Sequence, residues 1–239
     1  MTDRGAGTVG PLKLVNNSSI YGGSLSFLNQ LKMQAGALQT EQSEQLQNFA
    51  ANAMKTERVC DLVWQYLQDL SKHLDVIGPD APHFSLDGKT PWPPMKLVGF
   101  RADSRKKKLR DKDVYDYIAM GWDIVPRSGS TVNGAVSVNF PPDLERVQKR
   151  LAFGHVDHER KDVRHPEKNT LQAIRFEYKI RASGNITVTA DHDNAQLVFR
   201  LANADGFGVV STTWPAERID SDLLDEMAKM VVAQPNRFL

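Results

Sequence analysis

Apolar residues in the first third of the chain recur at steps of three and four. Leu46, Phe49, Ala53, Thr56, Cys60, Val63, Leu67, Leu70, Leu74 and Ile77 form an unbroken series of this kind, the spacing that keeps one seam of a helix facing a partner. Leu28, Leu31, Ala35 and Leu38 repeat the alternation and join the later series through Gln42 by two steps of four, which reads as a stutter. From Ser24 to Ile77 the only glycine is Gly36 and there is no proline, so the pattern predicts a long helix or a helical hairpin. Val59, Leu62 and Tyr66 broaden the stripe in the second half, as packing against more than one neighbour requires.

Beyond residue 95 the period changes from helical to alternating. Ile174, Phe176, Tyr178 and Ile180 are separated by Arg175, Glu177 and Lys179, and Ile186, Val188 and Ala190 by Thr187 and Thr189. These are strands with one wet face. Ser183-Gly184-Asn185, Asp191 to Asn194 and Asn203 to Gly206 read as turns, so four consecutive strands ending in Phe207 to Trp214 are expected to form an antiparallel meander. Lys96 to Arg101, Tyr117 to Val125 and Ala135 to Phe140 are further strand candidates. Pro141-Pro142 opens a short helix bearing Leu144, Val147 and Leu151, and Asp220 or Ser221 caps a last one bearing Leu223, Leu224, Met227, Met230 and Val231. The fold class is therefore α+β: a long N-terminal helix or helical hairpin, then a twisted antiparallel sheet with covering helices.

Punctuation divides the chain into four parts. Residues 1–23 are rich in Gly, Ser, Thr and Asn without a period and read as a flexible tail, 24–77 as the helical region, 78–95 as a Pro-rich linker, and 96–239 as the antiparallel α+β domain. The linker holds five of the 12 prolines, and it reads as a stiff spacer or hinge.

Composition narrows the function. With 239 residues, 41% hydrophobic and 25% charged, the chain can bury a sizeable core, and a net charge of +1 excludes an overall charge imbalance as the basis of binding. A charge-driven partner would need a local patch. The lone Cys60 can form no intrachain disulfide, no segment is apolar enough to span a bilayer, and the first ten residues lack a secretory core, so the expected address is cytoplasmic with no membrane partner.

Three stretches could carry function. The seam, represented by Phe49, Val63, Leu67, Leu70 and Leu74, points to self-association or to another protein. Arg105, Lys106, Lys107, Lys108 and Arg110 lie in the basic 101–112 stretch, read as a projecting loop, near Tyr115, Tyr117 and Trp122, a set able to neutralise phosphates and stack bases. If residues 155–165 are helical, His155, His158, Asp162 and His165 share one face and could hold a divalent metal such as zinc, with Glu159 or Asp157 as base for a metal-bound water. If they are a strand, the set breaks up.

Phosphate-binding glycine loops and the G-x-S-x-G elbow are absent. The leading reading is a non-catalytic interaction or assembly module with no cofactor. Nucleic-acid binding through the basic stretch and metal-dependent hydrolysis by the histidine cluster are the alternatives.

Overall fold

The computed structural model describes residues 26–239, so the expected N-terminal tail lies outside the described residues. The helical region is one helix, α1 (Phe27–Ile77), and not a hairpin. Gly78 ends it with a positive φ of 56°, and its amide donates to the carbonyl of Leu74, a left-handed stop that glycine adopts readily. Two compact units meet within α1, one reaching Gln45 and the other beginning at Leu46.

In the second unit, β1 (Met95–Leu109), β2 (Lys112–Pro126), β6 (Ala182–Asp191), β7 (Gln196–Ala202) and β8 (Val209–Pro215) form an antiparallel sheet in the order β1-β2-β6-β7-β8. Period-two alternation fixes its inner face. Opposed rows such as Met120, Ile186 and Leu201, and Ile118, Val188 and Phe199, are buried, while Thr187, Arg200 and Ser211 occupy the other face. A second sheet, β3-β5-β4, comprises β3 (Asn133–Val138), β4 (His158–Arg164) and β5 (Leu171–Lys179).

Helices and loops complete the core. The lower half of α1 contributes Cys60, Val63, Leu67 and Leu74, α2 (Pro141–Phe153) contributes Val147 and Leu151, and α3 (Ser221–Val231) contributes Leu224, Met227, Met230 and Val231. Asp220 caps α3 by accepting from the Leu223 amide at 2.9 Å. Near the C-terminus, Phe238 is fully buried against Phe199 with ring centroids 5.5 Å apart.

Three sequence expectations change. The strand at 174–180 does not precede β6 in one meander: it is β5 of the second sheet, and only β6-β7-β8 run consecutively. The amide of Lys179 donates to Asp157 and that of Ile180 to Val132, so the backbone leaves one ladder there before entering the other. Ser183-Gly184-Asn185 lies inside β6, because Gly184 faces Trp122 across the ladder and leaves room for the indole. The stretch expected as a spacer at 78–95 is packed, with Phe84, Leu86 and Trp92 buried. Its Pro79 carbonyl accepts from the Leu97 amide, and the Ala81 amide donates to Met95, so it lies along the rim of β1.

Candidate interaction surface on the N-terminal helix

The heptad seam is continuous in sequence, and its two ends differ in what covers them. Val63 and Leu67 are 0% exposed and Leu74 is buried with them, whereas Leu70 and Phe49 are half-buried. These residues pack within their own unit. Every residue from Ser26 to Asn48 is exposed, and the seam there presents Leu28 at 59%, Leu31 at 44% and Leu38 at 59% exposure. Phe27, Met33 and Leu46 are exposed beside them. Between Phe27 and Thr40 the only charged residue is Lys32, so this surface is apolar and amide-rich rather than ionic.

Residues Arg105, Lys106, Lys107, Lys108 and Arg110 lie on the tip of the β1-β2 hairpin, not in a free loop. Arg110 and Asp111 make the turn with φ of 47° and 65°, the left-handed pair that matches strand twist. Cations there are engaged by the protein's own groups. Arg105 and Lys107 both contact Asp116, at 2.7 and 3.1 Å, Lys108 contacts Asp113 at 2.9 Å, and Arg110 contacts Asp193 at 2.7 Å. Lys106 sits 4.4 Å over the Tyr115 ring and Arg110 4.6 Å over Phe49. Arg105 sits 5.7 Å over the Tyr117 ring, so both tyrosines expected to stack on bases are covered by cations, and Trp122 is buried.

Residues 158–164 are β4, so the helical face needed for a metal site does not form. Strand alternation sends His158 and Asp162 to one side and Glu159 to the other, and His165 follows the strand. His155 bonds Ser183 through Nδ1 and Oγ at 3.0 Å, His158 Nδ1 bonds the Val156 carbonyl at 2.8 Å, and His165 Nδ1 accepts from the amides of Glu167 and Lys168. Asp157 is held by Lys179 at 2.9 Å, which lowers its pKa through the hydrogen bond and the charge. Among the described residues no three His, Cys, Asp or Glu side chains are placed to hold a metal ion. His155, Asp157, Lys179, Arg181, Asp123 and Ser183 do line one open cleft of about 310 Å³. Its charges are already paired, Lys179 with Asp157 and Arg181 with Asp123 at 3.0 Å.

A polar cluster that periodicity does not reveal joins α1 to the sheet. One oxygen of Glu57 accepts from the buried His192 imidazole at 2.8 Å and from the Tyr115 amide at 2.9 Å. Tyr115 donates its hydroxyl to Asp61 at 3.0 Å, and burial followed by that hydrogen bond pushes the phenol up to about 12. Asn52 donates to the Asp193 carbonyl at 2.7 Å. Cys60 lies in the same region, and burial with the nearby Glu57 and Asp61 charges pushes its thiol up to about 12, the opposite of what a nucleophile needs. The cluster is a staple. The sequence signal for it is the pair of polar residues, Glu57 and Asp61, spaced i and i+4 on the helical segment.

Among the described residues no helix is long and apolar enough to cross a membrane. Compared with protein-family models, curated proteins and solved structures, the chain has no match in any of the three.

Proposed function

We propose that the chain is a non-catalytic assembly module that self-associates through the N-terminal part of α1. The observation that carries this reading is the apolar seam of Leu28, Leu31 and Leu38, exposed along a regular helix. Most helical stability in proteins comes from packing an amphipathic face, which this segment lacks, and Gly36 weakens it by about 1 kcal/mol relative to Ala. An apolar stripe at coiled-coil spacing removes both difficulties when a second helix covers it. The occupant is a second copy of the same segment. Lys32 alone gives little charge to select a foreign partner by, and a stripe of leucines flanking the small Ala35 is complementary to itself.

This reading outranks the two alternatives on chemistry. The basic hairpin holds seven basic and four acidic side chains between Arg101 and Asp116, and five of its cations, Arg105 to Lys108 and Arg110, have internal partners, so few remain to release counterions from a phosphate backbone. The strand at 158–164 separates the groups a hydrolytic metal would need.

Sedimentation equilibrium on the full chain tests the proposal. Wild type is expected to sediment as a multimer, and Leu31→Asp with Leu38→Asp to reduce the mass at least twofold while the near-ultraviolet signal of the packed tryptophans is kept. Far-ultraviolet helicity should rise with concentration in wild type and not in the variant. A wild type that stays monomeric with concentration-independent helicity overturns it, and a mass that rises only with a different added protein assigns the seam to that protein.

A further inference from the structure

The edges of the two sheets are protected very unequally. Along β1, the Asp75 carboxylate accepts from the amides of Gly99 at 2.9 Å and Phe100 at 3.2 Å, and Pro79 and Ala81 bond its lower part. On β4 (His158–Arg164), five of the seven exposed residues, Glu159 to Asp162 and Arg164, are charged. Both are devices that stop another chain from adding a strand.

β8 has neither. Its sequence, Val209-Val210-Ser211-Thr212-Thr213-Trp214-Pro215, has no charged residue, and it is the last strand of the five. Among the described residues, the backbone of Val209 to Trp214 makes hydrogen bonds only with β7. Half of its amides and carbonyls therefore face outward with no partner among the described residues, a ready template for another strand.

The side chains indicate which strand fits. Antiparallel pairing of β8 with itself about Thr212 opposes Thr212 to Thr212 of the second copy, Val210 to Trp214, and Ser211 to Thr213. Threonine pairs, a β-branched residue against an aromatic, and serine against threonine are the cross-strand pairs that stabilise antiparallel ladders, and no like charges meet. β3 is uncharged as well, but self-pairing there opposes only Gly134, Ala135, Val136 and Ser137 and gains no aromatic contact.

We propose that β8 is a self-association edge at which a second copy of the chain adds antiparallel, centred on Thr212, to join two five-stranded sheets into one of ten strands. This interface is separate from the α1 seam and does not depend on it. Two isologous contacts on one chain build assemblies larger than a dimer.

The test uses the full chain carrying Leu31→Asp and Leu38→Asp, so that failure of the helical seam and failure of the edge are read separately. Ser211 and Thr213 are exposed on the outer face, where charge does not disturb the core. Ser211→Lys with Thr213→Lys opposes lysines across the pairing and is expected to weaken the sedimentation dimer at least tenfold. Ser211→Glu with Thr213→Lys opposes unlike charges and is expected to restore it. Thr212→Cys should give a covalent dimer on mild oxidation, and Val163→Cys on β4 should not. A monomer in the helical-seam background overturns the proposal, as does a dimer indifferent to both charge patterns or oxidised no more readily through residue 212 than through residue 163.

Discussion

His192 and Glu57, 135 residues apart in sequence, meet at 2.8 Å and fix the middle of α1 to the turn between β6 and β7. His192 is 4% exposed, and the same carboxylate oxygen accepts the Tyr115 amide. One side chain thus satisfies donors from two elements of the sheet. Buried donors without partners carry a desolvation penalty that the bond removes.

Glu57→Ala leaves both donors without their acceptor. It should lower unfolding stability by about 2–4 kcal/mol, read as a fall in urea midpoint at constant m-value. The exposed neighbour Arg58 is the control, and Arg58→Ala should stay within about 0.5 kcal/mol of wild type. A loss for Glu57→Ala no larger than for the control would mean that the staple adds nothing to the packing of Val63 and Leu67.

Gly184 and Trp122 make a second long-range contact that tolerates no addition. A Cβ on Gly184 would sit 2.4 Å from two indole atoms, closer than side chains pack. Gly184→Ala must therefore shift the ring out of the core and should destabilise by about 1–3 kcal/mol, with a changed near-ultraviolet tryptophan signal. Gly208→Ala meets nothing within 4 Å and should leave both quantities unchanged.

These contacts explain which parts of the fold were legible in the sequence. The helical span, the helices carrying Val147 and Met227, and the β6-β7-β8 run all follow from local period, and they are present. Period says that a face is apolar without saying what covers it. Val63 and Leu31 both lie on the seam, yet one is in the core and the other exposed, a difference that the period itself does not carry. Ser183-Gly184-Asn185 has turn composition, but an indole 62 residues earlier in the chain makes its glycine a strand residue. The proline-rich stretch reads as a spacer until Phe84 and Trp92 are seen in contact with Phe207, at 4.9 and 5.0 Å between centroids. The histidine cluster resolved the other way: two sequence alternatives existed, and pairing of β4 with β5 selected the one that disperses the ligands.

Burial of Cys60 sets a chemical and a pH expectation. Its thiol rises from 9.0 to about 12 in the folded chain, so iodoacetamide at neutral pH should label it only after unfolding. Above about pH 9 the unfolded chain releases this proton while the folded chain retains it, and stability should fall as pH rises from there towards 12. Tyr115, raised from 10.0 to about 12, acts in the same direction. Cys60→Ala should flatten the lower part of this decline, measured by urea midpoints from pH 8 to 10. Rapid labelling of native protein, or a decline unchanged by Cys60→Ala, would contradict the assignment.

Gly36 separates a helix that is merely exposed from one that works as an interface. It lies beside the seam rather than on it, one position past Ala35, with nothing within 4 Å of an added Cβ. Replacing it with Ala removes the conformational freedom that favours the unfolded segment, a gain of about 1 kcal/mol per chain. If folding of this segment is coupled to self-association, two chains share that gain, and the dissociation constant should fall by about an order of magnitude or more. If the helix serves no interface, Gly36→Ala should raise far-ultraviolet helicity by the same increment at every protein concentration. A helicity gain with an unchanged sedimentation profile would remove α1 from the assembly and leave the β8 edge as the self-association surface to be tested.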